Sequence, residues 1–322
     1  GGAIGELEFA RQALRGKLDA LLALAASLAS ADFKRLHAER ATATSFLESN
    51  WNKYQENYHP TYVLDDDPAT AWVEGAEGDG VGQSVTVRVS ALNKARALRL
   101  VGLRPGQRLR GVGCGGGALA GKATLEFGAS VTGVTLSTEQ LDFARQRLAE
   151  QGQAERVDLR LQDYRDIDDG PYDAICSIEM IEAVGQEYWP TYFQAVQRLL
   201  KPGGKACIQS IVIDDSLFAR YLPSTDFIQQ YIFPGGCLPC PQDFKRQAEA
   251  AGLRVIDEFG FGLDYAETCR RWRESFLARR EEVLQLGFDE RFIRVWEFYL
   301  AYCEAGFPAG DIDVRLYTLQ KP

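Results

Sequence analysis

From Lys94 to its end the sequence predicts an α/β domain, a parallel sheet with helices on both faces. Three observations predict it. Short apolar, β-branched runs alternate with helix-length amphipathic segments. A glycine-rich turn, Gly113-Cys114-Gly115-Gly116-Gly117, stands where the first such run meets a helix. Polar clusters follow the second and third runs, at the carboxyl edge where ligands of such sheets bind.

Taken in order, NKARALRLVGL reads as a helix closed by Pro105-Gly106, and RLRGVGCGGG as a short strand running into the glycine turn. ALAGKATLEFG follows as helix, SVTGVTLS as the second strand and TEQLDFARQRLAEQG as the second helix of the alternation. RVDLRLQDYRDI supplies the third strand and YDAICSIEMIEAV the fourth. YWPTYFQAVQRLLKPGG reads as a helix ended by a Pro-Gly-Gly stop, and KACIQSIVI is the fifth strand.

The first ninety residues have a different character. Residues 1–40 read as an N-terminal helix, with Phe9, Leu14, Leu18, Leu21, Leu22, Leu28 and Leu36 at helical spacing. Residues 41–93 read as a β-rich segment with long loops, in which SVTVRV alternates strictly as a strand. Residues 94–322 then form the α/β domain. The stretch YHPTYVLDDDPATAWVEGAEGDGVGQSVTVRV is similar to the opening half of discoidin-like carbohydrate-binding sandwiches, over about fifty residues. Half a sandwich would leave an open sheet edge, so this region is expected to be a fragment packed on a neighbour.

Composition narrows the chemistry. With 46% hydrophobic residues in 322, the chain can fill a substantial core. A net charge of -9 argues against nucleic acid, whose phosphates need a concentrated basic face. Seven cysteines at scattered spacings form no disulfide framework and fit a reducing, cytoplasmic setting, and Cys237-x-x-Cys240 lies in a Gly/Pro loop rather than an activating turn. The two histidines, His37 and His59, lie near the start, so the larger part of the chain works without imidazole or a His-ligated metal; no metal site is expected. The longest apolar stretch, ALLALAASLASA, is too short to span a bilayer. The chain opens Gly-Gly rather than with methionine, as a processed or trimmed chain would.

Glycines at the first strand tip let a ligand approach the backbone, although a plain tight turn uses them too. After the second strand come Thr135, Leu136, Ser137 and Gln140, and after the third come Gln162, Asp163, Tyr164 and Arg165. An adenosine needs such parts: a polar group for the ribose, an acid or amide for the adenine amino group, and an apolar surface for the ring. Thr135-Leu136 lacks the acid that a dinucleotide's ribose would require, which favours S-adenosylmethionine, bound through Gly113, Cys114, Gly115, Gly117 and these two polar clusters.

The segments VTGVTLSTEQLDFARQRL, LQDYRDIDDGPYDAICSIEMIEAVG, RLLKPGG, QYIFPGGCLP, DYAETCRRWRESF and FYLAYCEAGFPAGDIDV resemble, in order over roughly 225 residues, the signature segments of the cyclopropane fatty acid synthases. The resemblance implies a seven-stranded Rossmann-like methyltransferase fold with a lipid-covering insertion between the fifth strand and the C-terminal strands. It also implies transfer of a methyl from S-adenosylmethionine to the double bond of an unsaturated fatty acyl chain of a phospholipid, giving a cyclopropane or a methyl- or methylene-branched chain. The family's base is a bound bicarbonate held by a Glu, a His, a Tyr, a backbone group and an N-terminal Cys. Glu182, Ile211 and Tyr265 match three of those positions, and Gln209 stands where the family has His. That replacement keeps a hydrogen-bond donor but no titrating group, and leans the expectation toward branching.

Other departures are Gly111 in place of the acid that opens the glycine loop, Gly116 in place of its tryptophan, and no counterpart of the family's N-terminal Tyr-Ser-Cys lid. A catalytically weakened relative serving as a lipid- or cofactor-binding module is the alternative. Glu179 and Glu182 could instead cap a helix, and Tyr265 could be a core tyrosine. Arg270, Arg271, Arg273, Arg279 and Arg280 are expected to lie on one helix, either paired with nearby glutamates or facing phospholipid headgroups at the inner face of the membrane. A homodimer is compatible with all of this.

Overall fold

The computed structural model describes residues 94–322 together with the backbone of two short strands, β1 (Ala41–Ala43) and β2 (Val85–Val87). The predicted helix over residues 1–40, the discoidin-like loops and the two histidines lie outside the described residues. The chain divides into two units, residues 24–91 and the remainder. In the smaller unit β1 and β2 pair antiparallel, Thr42 opposite Thr86, so the alternating SVTVRV run is a strand at its centre.

The larger unit carries a seven-stranded sheet. After helix α1 (Lys94–Leu100) come β3 (Arg108–Val112), α2 (Ala118–Phe127), β4 (Ser130–Thr135), α3 (Thr138–Glu150), β5 (Val157–Leu161), β6 (Tyr172–Ile178), α4 (Trp189–Leu199) and β7 (Leu200–Ile213). Next are α5 (Asp215–Tyr221), α6 (Phe227–Tyr231), α7 (Pro241–Ala250) and β8 (Arg254–Gly260). The chain finishes with α8 (Gly262–Ala278), α9 (Arg280–Gln285), α10 (Glu290–Ala309) and β9 (Ile312–Gln320). The strand order is β5-β4-β3-β6-β7-β9-β8. β3 to β7 pair parallel, while β9 inserts antiparallel between β7 and β8. Seven strands in one sheet is the architecture the resemblance implies.

Local signals place the helices. Ser137 caps α3, its hydroxyl accepting the Gln140 N–H at 3.1 Å, and Glu139 follows in the first turn, where the helix dipole favours an acid. Pro190 and Pro241 open α4 and α7, where a missing N–H costs nothing. Gly310, at φ 81°, ends α10 in the left-handed conformation. The two faces of the sheet are covered differently. Small residues of α2 and α3 (Ala120, Ala123, Ala144) pack close on one face with Leu98, Leu141 and Leu148. Aromatic residues of α4 and α7 fill the other, with Trp189, Tyr192, Phe193 and Phe244 fully buried and Phe244 stacked on Tyr317 of β9 at 3.9 Å. Each such ring removed from water contributes roughly 1.5–3 kcal/mol.

Two expectations change in detail. The Pro202-Gly203-Gly204 stop lies inside the 14-residue strand β7, because Gly203 adopts φ 75° and the ladder with β6 shifts register between Tyr172 and Ala174, absorbing the proline. The expected single insertion is divided: α5 and α6 follow β7, whereas the long α8 and α10, with the short α9 between them, lie between β8 and β9. No helix among the described residues is long and apolar enough to cross a membrane.

Candidate active site

Parallel pairing brings the tips of β3, β4 and β5 to one edge. The Cys114 N–H donates to Val134 O at 2.7 Å, and the Gln162 N–H donates to Thr135 O at 3.1 Å, so the glycine turn and both polar clusters adjoin. Gly113, Gly115 and Gly117 all have positive φ. A Cβ on Gly115 would meet nothing within 4 Å, leaving open ground above the turn, whereas one on Gly117 would come within 3.0 Å of Ala144 Cβ on α3. Only glycine permits that close helix approach.

Among the predicted cofactor ligands, Thr135 and Gln140 are tied together, Thr135 Oγ1 lying 3.2 Å from Gln140 Oε1, and Leu136 stands 70% exposed at the tip as an apolar surface. Gln162 donates to Asp166 O, yet its Oε1 is buried with no partner, an orphaned acceptor at the place expected for adenine. Tyr164 packs edge-on against Tyr192. Asp163 is less available: its carboxylate takes the Arg165 backbone N–H and both arms of the Arg165 guanidinium, which hold it below the ordinary carboxylate range. Cys114 is a thiol pushed up to about 11 by burial, so it contributes backbone and bulk but no thiolate. At Gly111, buried in β3, an added Cβ would meet Gly133 Cα at 3.7 Å and Thr132 O at 3.9 Å, ordinary van der Waals contact. Apart from the acid absent at Gly111 and the engaged Asp163, the turn, the exposed Leu136 and the orphaned Gln162 fit an adenosine-containing cofactor.

The second half of the site lies at the tips of β6 and β7, paired through Ile178 and Gln209. Tyr265 on α8 donates its hydroxyl to Glu179 Oε1 at 2.6 Å, and Gln209 Nε2 donates to the same oxygen at 2.7 Å. The backbone is clamped too, the Glu179 N–H donating to Gln209 O at 2.9 Å. Glu179 has φ 50°, the one non-glycine in the left-handed region among the described residues. Such strain costs about 1–3 kcal/mol and persists where surroundings impose it.

Three residues on, Glu182 Oε1 accepts the Ile211 N–H at 2.6 Å, and its Oε2 is buried with no partner. Burial, with Glu179 nearby as a like charge, pushes the Glu182 carboxyl up to about 8. Glu182 is therefore mostly protonated at neutral pH.

Gln209, Tyr265, Glu182 and Ile211 thus share one site, organised around Glu179. Neither glutamate caps a helix. Sequence reasoning weighs Glu179, like Glu182, between a helix cap and a catalytic group and assigns it no role; the signal it carries is a charged residue placed just after a buried strand. Around the carboxylates the wall is aromatic: Tyr265 contacts Trp272 and Phe307 edge-on, and its hydroxyl, like those of Tyr299 and Tyr192, is raised by burial. Among the described residues no group of three or more His, Cys, Asp or Glu side chains could hold a metal ion, and the seven cysteines are free. Cys237 and Cys240 are both raised by burial, Cys240 to about 11, so the C-x-x-C carries no activated thiolate.

Residues 84–317 match the family model described as mycolic acid cyclopropane synthetase. Residues 34–101 match a second model, the NAD glycohydrolase translocation F5/8 type C domain, a span that contains the discoidin-like stretch. The tuberculostearic acid methyltransferase UfaA1 of Mycobacterium tuberculosis is 45% identical over 225 residues, 70% of this chain and 52% of that protein. The cyclopropane-fatty-acyl-phospholipid synthase of Escherichia coli is 37% identical over 212 residues, 66% of this chain and 53% of that protein. This chain spans about half the length of these curated relatives. The crystal structure of the mycolic acid cyclopropane synthase CmaA1 complexed with SAH and CTAB superposes with a TM-score of 0.66 at 30% identity, covering 71% of this chain and 82% of that one.

Proposed function

This chain belongs to the mycolic acid cyclopropane synthetase family, and we propose that it transfers a methyl group from S-adenosylmethionine to the double bond of an unsaturated fatty acyl chain. The observation that carries this reading is the Glu179 carboxylate, held by two side-chain donors on the edge that also bears the glycine turn. When bound, S-adenosylmethionine supplies an electrophilic methyl on sulfur. The bond from sulfur to that methyl would break as the acyl double bond forms the new carbon–carbon bond, the sulfur keeping the electron pair as S-adenosylhomocysteine departs, and the positive charge would pass to the acyl carbons.

The residues of this chain then manage that cation. The aromatic wall of Tyr265, Tyr299, Trp272 and Phe307 excludes water, which would otherwise add to it. Glu179 stabilises the charge electrostatically and takes the proton that the cation must lose. Gln209 and Tyr265 fix the direction of its carboxylate. Proton loss from the transferred methyl closes a cyclopropane, whereas loss from a neighbouring chain carbon leaves a branched alkene, and a base anchored to a strand tip selects between them by position. Gln209, which cannot carry the proton, leaves Glu179 as the acceptor and favours branching.

Bicarbonate fits this site only in part. Both side-chain donors that would hold it are spent on Glu179, and the Ile211 N–H is spent on Glu182, leaving the unpartnered Glu182 Oε2. The step as written runs through Glu179. Incubation with methyl-labelled S-adenosylmethionine and phospholipids bearing oleoyl chains, followed by mass spectrometry, tests the function: acyl chains heavier by one methylene unit are expected, and unchanged chains refute it. The engaged Asp163 and the missing acid at Gly111 favour a second reading, a lipid- or cofactor-binding module without turnover, for which the same assay stays silent and calorimetry shows no S-adenosylmethionine binding at millimolar concentration.

A further inference from the structure

The arginines of α8 are neutralised. Arg270 pairs with Glu267 and Glu274, Arg271 with Glu267, and Arg273 with Glu304; beyond the helix, Arg279 pairs with Glu282 and Arg280 with Glu281 and Glu290. This run offers little net charge to headgroups. On α10 the position is reversed: Arg291 and Arg294 are exposed and have no ion pair among the described residues.

At helical spacing on the same face follow Phe298 and Tyr302, 53% and 44% exposed. Both rings meet Phe227 of α6, at 4.7 and 6.3 Å, and Phe227 in turn contacts Tyr231, 56% exposed, at 5.3 Å. Four rings thus form an aromatic ledge at the water boundary with two unpaired guanidinium groups beside it. The acids next to it are Asp226, occupied as the N-cap of α6, Glu297, and Asp311, whose charge reaches Tyr302 from just beyond α10.

The ledge is connected to the site. Phe233, just beyond α6 and partly exposed, lies 6.1 Å from Tyr299, and Tyr299 sits within electrostatic range of Glu179.

We infer that this ledge, Phe227, Tyr231, Phe298 and Tyr302 with Arg291 and Arg294, docks on an anionic phospholipid bilayer and is where the acyl chain leaves it for the site; this rests on the acyl-chain reading above. Arginine beside amphipathic rings suits the headgroup boundary, where guanidinium groups meet phosphate and rings enter the upper acyl region. A net charge of -9 repels the rest of the chain from the same surface, so the ledge orients the protein as well as holding it. Tyr231, Phe298 and Tyr302 are exposed, and Phe227, half-buried against Ile232, Trp296 and Leu300, anchors them.

Co-sedimentation with phosphatidylcholine vesicles, with and without one-third phosphatidylglycerol, tests the inference. Arg291→Gln with Arg294→Gln is expected to weaken binding to the anionic vesicles roughly 25-fold, about 5-fold per arginine, and to leave the weak binding to neutral vesicles unchanged. Phe298→Ser with Tyr302→Ser should weaken both. Each variant should keep wild-type turnover on detergent-dispersed oleoyl lipid, which shows that the fold and site are intact. Wild-type vesicle binding by both variants overturns the docking face, as does an oligomer in light scattering that the ring variant dissolves, since the ledge would then be a contact between copies. Vesicle binding that follows these expectations without methyl transfer by any form would instead refute the acyl-chain reading and leave the face standing.

Discussion

The charge state of Glu182 gives the sharpest physical test. Its carboxyl is held at about 8 against an ordinary value of 4.5, chiefly because burial penalises the anion. A raised carboxyl pKa means that the folded protein keeps a proton that the unfolded chain releases. Stability from this group is therefore fully present below about pH 4.5 and is lost as pH rises through about 8. The slope across that window approaches 1.36 kcal/mol per pH unit, about 5 kcal/mol in all as an upper bound.

Glu182→Gln keeps the acceptor for the Ile211 N–H and cannot ionise. The carboxamide places an N–H₂ group where Oε2 has no partner, which costs a fixed 1–3 kcal/mol or so at every pH. The assay is urea denaturation of both proteins at half-unit steps from pH 5 to pH 9. The wild type should lose stability relative to the variant as pH rises, the difference flattening above about pH 8. Parallel curves across the window would refute the burial argument, because they would mean that Glu182 ionises in the folded protein as readily as in the unfolded chain.

Tyr265→Phe removes a donor to Glu179 at little cost in packing; kcat should fall roughly 10- to 100-fold with cofactor affinity unchanged by calorimetry, the value of a hydrogen bond to a charged group. Gly117→Ala places a Cβ 3.0 Å from Ala144 Cβ at φ 75° and should cost about 1–3 kcal/mol in denaturation while weakening S-adenosylmethionine binding. Ser137→Ala removes the cap of α3 and should lower stability by about 1 kcal/mol in urea denaturation. Gly111→Asp, where an added Cβ makes only ordinary contacts, should tighten cofactor binding by about tenfold in titration through a charge-assisted contact with the cofactor's ammonium end; unchanged or weaker binding counts against that role.

Much of this protein was decided locally and could be read from the sequence. The strands and helices after Lys94 follow from two- and 3.6-residue periodicities, from Ser137 as a cap and from Pro190 and Pro241 as starts, because these signals act between residues a few positions apart. The glycine turn and the polar strand tips were legible for the same reason: a parallel sheet gathers all its carboxyl ends at one edge. The core of the site depends on distance in the chain. Glu179 acquires its role from Gln209, 30 residues away, and Tyr265, 86 residues away, and no local signal separates it from a helix cap. The pairing of the α8 arginines, the bare pair on α10 and the division of the insertion were decided in the same way, by which surfaces meet. The sequence by itself determined which elements exist and which edge gathers the glycine turn and the polar clusters; the tertiary structure alone decided which carboxylate is clamped and which stays protonated, because burial and hydrogen-bond partners are properties of the packed chain.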